Sequence, residues 1–448
     1  MANNGWKTIA LGELVESGKA FIQTGPFGSQ LHSYDYLPVG VPVVPTEAIG
    51  WRRLDGSGVP RISPEKSESL SRHRLKAGDI LFARRGIQAT GLSALVEPQH
   101  TDWICGTGAI LLRLQTPEVD PTYLSFFLIE NTTREWLRTH AVGAVMPNLN
   151  ESILKRLPLR LPPIKEQCRI ANILGTLDDK IELNRRMNET LEAMARRLFR
   201  SWFVDFDPVH AKAVLRRQHP KLSNADLSRR ALPNTAPEIA ELFPDDFENS
   251  TLGPIPKGWT AGTVSDAIEV NPTRSLPKGT VAPWLEMSNM PTRLARAVAW
   301  EHRAFGSGTK FVNGDTLVAR ITPCLENGKT AFVDFLANGE VGAGSTEYIV
   351  LRPKPPLPLV FAYLLARTDD FRQHLITNMT GTSGRQRAPA NCLNSYPLVT
   401  PSQEIAERFG HATESLFAQM KTNDEESTAL TATRDKLLPG LLCGHVVV

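Results

Sequence analysis

Hydrophobic and polar positions change period along this chain. Short β-branched and aromatic runs broken by Gly, Pro and Asp come first, VPVVPTEAI, DILFARR and AILLRLQ, and a similar series recurs later as DTLVARI, TAFVDFL and EYIVLRP. Runs of that length between turn residues predict short strands. A shorter helical stretch follows each series, YLSFFLIENTTREWLRTH and LVFAYLLARTDDFRQHLI, and then the chain turns into a much longer helical pattern. In the first of these, LPPIKEQCRIANILGTLDDKIELN from Leu161, the residues Ile170, Leu174, Leu177, Ile181, Asn184, Asn188, Leu191, Ala195 and Leu198 recur at alternating steps of four and three. That spacing marks a coiled-coil seam rather than a broad amphipathic face. Phe409, Leu416, Asn423, Leu430 and Leu437 carry the same seam 239 residues further on, with Asn423 in the place of Asn184.

The repetition extends beyond the helices. LKAGDILFARRG and FVNGDTLVARITP place Gly78 and Asp79 against Gly314 and Asp315, and Arg84 against Arg320, at an offset of 236. The same offset aligns Gly106 and Gly108 in CGTGAILLRL with Gly342 and Gly344 in VGAGSTEYIVLR. Pro158 and Pro162 match Pro397 and Pro401 at 239, and Trp6 matches Trp259 at 253. The first copy therefore carries about 17 extra residues, expected around GPFGSQLHSYDYLPVG. A period above 200 residues is a duplicated domain and not a solenoid.

The expected fold is α/β (α+β): two tandem sheet-rich domains with pseudo-two-fold symmetry, separated by two long helices packed as an antiparallel coiled coil. The boundaries expected are 1–160 for the first domain, 161–204 for the first helical spacer, 205–256 for a linker, 257–400 for the second domain, 401–440 for the second spacer and 441–448 for a tail. Antiparallel pairing brings Asn184 and Asn188 near Asn423 and Ser427. Residues 155–200 carry 11 Lys/Arg and 6 Asp/Glu, a balance of +5, and residues 401–440 carry 4 and 7, a balance of −3. Opposite signs favour mutual pairing, while seam asparagines trade stability for register. The alternative is that each helix packs only on its own domain.

Composition narrows the class without choosing a function. At 448 residues, 41% hydrophobic and 22% charged, the chain can bury two or three cores. Its net charge of +3 is silent about nucleic acid, because a basic face can be cancelled by acidic residues elsewhere. Cys105, Cys168, Cys324, Cys392 and Cys443 are scattered singly, with no spacing suited to zinc, which fits a reducing compartment. The start MANNGWKTIALGEL lacks a basic head and apolar run, and no stretch approaches the ~20 apolar residues of a membrane span. A cytoplasmic location with no membrane contact is expected.

Duplicated domains, each followed by a transition of the LPPIKEQCRIANIL type into a long helix, resemble the specificity subunit of type I restriction-modification enzymes. GPFGSQL, GDILFARRG, TGAILLRL, SWFVDFDPV and ELFPDDFENSTLGPIPKGW are similar to the same family. The second transition, TPSQEIAERF, departs from that pattern. The resemblance implies a non-enzymatic adaptor with two target-recognition domains, each reading one part of a split double-stranded DNA sequence, and helices that set the spacing. It also implies two modification (methyltransferase) subunits, which bind S-adenosylmethionine, and restriction subunits, which bind ATP and Mg, with no cofactor on this chain.

Chemistry of the chain's own would need other motifs. TGPFGSQ, VNPTR and DFDPV each lack the second proline and terminal aromatic residue of an amino-methyltransferase, and no GxxxxGK[ST] phosphate loop is present. The acids of PDDFEN sit in a proline-containing linker and read as a solvated turn rather than a nuclease metal site. A self-sufficient methyltransferase or nuclease, or an adaptor that binds proteins, are the rival readings.

Base edges are read by Arg and Lys at guanine and by Asn and Gln at adenine. In the first domain the candidates are Ser29, Gln30, Arg84, Arg85, Gln88, Asn148 and Asn150; in the second they are Arg320, Asn327, Lys329, Ser383, Arg385, Gln386 and Arg387. Arg84 and Arg320 recur in both copies, which suits shared structure or phosphate binding. Residues that read sequence should differ between copies, which favours Arg385, Gln386 and Arg387.

Overall fold

The computed structural model describes residues 5–446 apart from 144 and 383. The chain forms two compact units: Met1–Ile181 with Ala429–Val448, and Glu182–Thr428. Two helices of 40 residues each, Ile164–Phe203 and Gln403–Leu442, contribute to both units.

Unit 1 is built on an antiparallel sheet in the order Ala20–Thr24, Ala109–Leu114, Ile80–Ala83, Ser93–Leu95. ILFA at Ile80–Ala83 is buried at every residue because the strand is covered on both faces, which explains its unbroken apolar run. A second, mixed sheet orders Tyr36–Leu37, Arg61–Ile62, Val41–Val44 and Ile104–Cys105, the last pair parallel. The helix Pro121–Ile129 starts on proline behind an Asp120 cap and is buried along most of its length, and Glu130 caps the next helix, Asn131–His140. Ile80, Phe82, Ile110, Tyr123 and Phe126 form a core with Ile170 and Leu174 of the first long helix and Leu438, Leu441 and Leu442 of the second. Burying each such leucine stabilises the unit by ~1.5–3 kcal/mol.

Unit 2 repeats the frame. Its antiparallel sheet runs Ile268–Val270, Tyr348–Pro353, Thr316–Ala319, Thr330–Phe332, and its mixed sheet runs Glu301–Ala304, Val281–Leu285, Gly342–Gly344, Thr309–Phe311. Helices Val360–Ala366 and Asp369–Thr377 follow. Its core takes Ala195, Phe199, Trp202 and Phe203 from the first long helix and Ile405, Phe409, Phe417 and Met420 from the second.

Within unit 2 the helices run antiparallel along a buried polar seam. Asn184 Nδ2 donates to Glu426 Oε2 at 2.8 Å and reaches Ser427 Oγ at 3.3 Å. Asn188 Nδ2 donates to Asp424 Oδ1 at 2.7 Å, and Asn423 Nδ2 donates to Asn188 Oδ1 at 2.8 Å. Within unit 1, Asp178 and Arg434 join the same two helices at 2.8 Å.

The strict seven-residue seam is buried only in part, at Ile170, Leu174, Asn184, Asn188, Ala195, Phe409 and Asn423, and elsewhere the buried row is displaced. Leu177, Ile181, Leu191, Leu198, Leu416, Leu430 and Leu437 are half-buried, whereas Asp178, Glu192, Phe199, Phe417 and Leu438 are buried. An α-helix at 3.6 residues per turn drifts against a repeat of 3.5, so the buried row moves by one position, and the sheet domains cover the flank it moves onto. The charged residues exposed to this drift are paired: Glu192 accepts from Tyr363 Oη at 2.7 Å and lies 3.2 Å from Arg367, while burial raises its pKa.

Three further expectations are corrected. The stretch 205–256, read as a linker, is folded: helices Asp207–Gln218, Asn224–Ala231 and Pro237–Ala240 precede a hairpin of Phe247–Ser250 with Gly253–Pro256. Lys212 holds it together from inside, fully buried and donating to Asn224 Oδ1, the Ala240 carbonyl and the Phe243 carbonyl. Gly106 and Gly108 do not correspond to Gly342 and Gly344. Ile80 pairs with Leu112 as Thr316 pairs with Leu351, and Val44 pairs with Cys105 as Leu285 pairs with Gly344. The offset here is therefore 239, which puts Ser345 and Glu347 in the places of Gly106 and Gly108. Glycine similarity had masked a three-residue slip. The extra residues of the first copy are likewise spread out, because Ile22 matches Val270 through their shared partners Leu112 and Leu351, and the turn Thr46–Ala48 matches Met287–Asn289.

Candidate nucleic-acid interface

The buried aspartates of the repeated Gly-Asp pairs are scaffold. Arg113 meets Asp79 at 2.6 Å, and Arg352 and Arg274 meet Asp315 at 2.7 and 3.1 Å. Beyond each of these strands the chain opens into the loops that hold the predicted reading residues.

In unit 1 the loop after Ala83 is pinned to the segment 146–149. Arg84 N donates to the Gly108 carbonyl at 2.8 Å, Leu149 N to the Arg84 carbonyl at 2.7 Å, and Arg84 Nε to Asn148 Oδ1 at 3.3 Å. Arg85 and Asn148 form a β-bridge, and Thr90 Oγ1 donates to the Pro147 carbonyl. These ties present Arg85, Ile87 and Gln88 to solvent. A cleft of about 460 Å³ lies between Tyr36, Thr46, Glu47, Arg85, the Gly106–Gly108 turn and Met146. Gly108 is required for its closure: a Cβ there would stand 1.9 Å from Thr46 Oγ1, which donates to the Gly108 carbonyl at 3.1 Å.

Unit 2 has the same frame and different contents. Arg320 N donates to the Glu347 carbonyl, as Arg84 N does to Gly108, and Ile321 bridges Arg387 as Arg85 bridges Asn148. Where unit 1 has glycine, the Glu347 carboxylate accepts from Arg387 Nε at 2.7 Å and faces Arg320 Nε at 3.6 Å. Counting from these bridges and turns, Ser288 replaces Glu47, Ile321 replaces Arg85 and Arg385 replaces Met146.

The predicted residues thus divide. Arg85, Gln88, Ser29, Asn327 and Arg385 are exposed and Gln386 is half-buried, all on loops. Gln30 is exposed but its Oε1 accepts from Phe27 N, closing its own turn. Asn150 is a correction to direct reading: its Oδ1 caps the helix Glu151–Lys155 by accepting from Ile153 N, so the side chain is committed to the fold. Lys329 is likewise turned inward, donating to the Met287 carbonyl at 2.5 Å. Arg84, Asn148, Arg320 and Arg387 are half-buried members of the frame. Ser383 lies outside the described residues. Sequence reasoning missed Tyr36, Glu47 and Met146, which reach the cleft from three separate segments; the lone acid in VPVVPTEAI was the only available signal.

Known proteins place this architecture. The family described as type I restriction modification DNA specificity domain matches residues 3–193. The HindI specificity subunit of Haemophilus influenzae is 26% identical over 409 residues, 83% of this chain and 87% of that protein. The MjaIX specificity subunit of Methanocaldococcus jannaschii is 24% identical over 338 residues, 73% of this chain and 69% of its own. In fold, the S subunit of a type I restriction-modification system from M. genitalium superposes with a TM-score of 0.51 at 15% identity, covering 98% of this chain and 97% of that one. The matched family model and these relatives point the same way as the duplicated frame: the chain is similar to the specificity subunits of type I restriction-modification systems.

Proposed function

We infer that this chain is the DNA sequence-specificity subunit of a type I restriction-modification complex. Each unit recognises one part of a bipartite duplex target, and the long helices set the separation of the parts and dock the modification subunits. The observation that carries this reading is the duplicated frame with replaced cleft residues, Glu47 by Ser288, Arg85 by Ile321 and Gly108 by Glu347. One scaffold used twice with different lining suits two different half-sites. A helix of 40 residues is ~60 Å long, enough to exceed one turn of B-DNA at ~34 Å.

In this reading the chain performs no catalysis. S-adenosylmethionine belongs to the partner modification subunits, and ATP and magnesium to the restriction subunits. No helix among the described residues is long and apolar enough to cross a membrane. The test is adenine-methylation mapping of the source genome with and without this gene. Loss of one gapped, two-part motif is expected; an unchanged methylome in cells whose modification subunit is active would refute the reading.

A further inference from the structure

We propose that the unit 1 cleft reads a G·C base pair, with the Glu47 carboxylate taking the cytosine amino group and the Arg85 guanidinium taking the guanine edge. The proposal rests on the specificity-subunit reading and deepens it. In the major groove cytosine offers an N4 amino donor, and guanine offers the O6 and N7 acceptors. A carboxylate can only accept and a guanidinium can only donate, so the two side chains complement the two halves of that pair.

Both charges are exposed on the wall of one cleft, and neither makes a side-chain hydrogen bond or ion pair with any described residue. Both are nevertheless held at the backbone. Glu47 sits in the turn Thr46–Ala48, whose Thr46 hydroxyl is tied to Gly108, and Arg85 is bridged to Asn148. Around them Tyr36 and Met146 are 40% and 58% exposed, an apolar rim suited to base edges and thymine methyl groups. The frame does not need either charge, because unit 2 keeps the same bridge and turn with Ile321 and Ser288 in their places.

The test uses the purified complex of this chain with its modification subunits, and duplexes carrying each of the four base pairs at every half-site position. Glu47→Ala and Arg85→Ala should each reduce the preference for G·C at one position of one half-site by roughly tenfold to a hundredfold. The other half-site and the gap should be unchanged. Both side chains are exposed, so wild-type thermal midpoints are expected and confirm that the variants are folded. Unchanged preferences overturn the proposal, as does equal weakening on all duplexes, which would make the cleft a backbone contact. A target without any G·C pair overturns it as well. A wild-type complex with no bipartite preference would instead remove the specificity-subunit reading itself.

Discussion

Replacing Asp178 by alanine should destabilise unit 1 chiefly by stranding one arginine. The Asp178 carboxylate is 6% exposed and accepts from Arg52 and Arg53 on Oδ2 at 2.7 and 2.8 Å, and from Arg434 on Oδ1 at 2.8 Å. Arg53 retains Glu97 and Asp179, and Arg434 retains Asp435. Arg52, 3% exposed, has no other carboxylate within ion-pair distance among the described residues, only the Phe126 ring at 4.3 Å. Burial already pushes its pKa down while Asp178 opposes the shift. One such contact is worth about 4 kcal/mol gross at an effective dielectric near 20, and desolvation cancels much of that. Leaving a buried partner uncompensated costs about 3–5 kcal/mol, which is the expected loss. Adding Arg52→Met removes the stranded charge and keeps an apolar contact with Phe126, so about 1–3 kcal/mol should return. Hydrogen exchange of peptides from 170–178 and 430–440 isolates unit 1 where a global midpoint would average two units. A loss below about 1 kcal/mol, or a double variant less stable than the single one, would refute the argument.

Acid should weaken unit 1 through His73, which is buried beside Gln23 and whose pKa burial and then Arg72 push down to about 4. The unfolded chain takes up that proton first, so stability present above pH ~6.5 falls as pH drops towards 4, by about 2 kcal/mol between pH 7.5 and 5. Denaturant unfolding at the two pH values should show this difference in wild type and a smaller one in His73→Gln; equal differences would exclude the histidine. Seven residues inserted at matched points of both long helices preserve the seam phase and add ~10 Å, so the methylated motif should keep its half-sites and gain about 3 base pairs of gap. An unchanged gap removes the spacing role. Arg385→Ala should alter preference in the second half-site only, whereas Arg387→Ala leaves Glu347 with Arg320 alone and should weaken binding to all sequences; duplex-binding panels separate the two outcomes.

The parts of this fold visible in sequence are those that depend on local period. Asn184 and Asn423 mark the centre of both helices because a polar residue interrupts an apolar series, and that signal needs no tertiary knowledge. Asp178, Glu192, Arg52 and Arg296 were invisible for the opposite reason. A charged residue on a helix or loop reads as solvated until its partner is known, and Arg296 finds Asp334 and Asp424 only through the fold. The insert at 205–256 escaped notice because its helices are short, and the Lys212 that anchors it is a residue type normally assigned to the surface. The cleft was legible at Arg85 alone. Its other walls come from distant segments, and the glycines that line it suggested a register three residues away from the true one.

Each sheet domain leaves and rejoins the chain through a single strand pair. Lys7–Ala10 lies against Pro158–Leu161, with Ala10 opposite Pro158, and Thr260–Thr263 lies against Pro397–Thr400, with Thr263 opposite Pro397. Strands so paired are ~4.8 Å apart, so everything between them is a closed excursion whose two ends lie side by side. Such an excursion is a cassette. Another one with the same end spacing, and with partners for Ile170, Leu174 and Asp178, could be spliced between Ala10 and Pro158 while keeping the helix that begins at Ile164. A new binding preference could then arise in one exchange of coding sequence, rather than through a series of point changes that must each preserve the core.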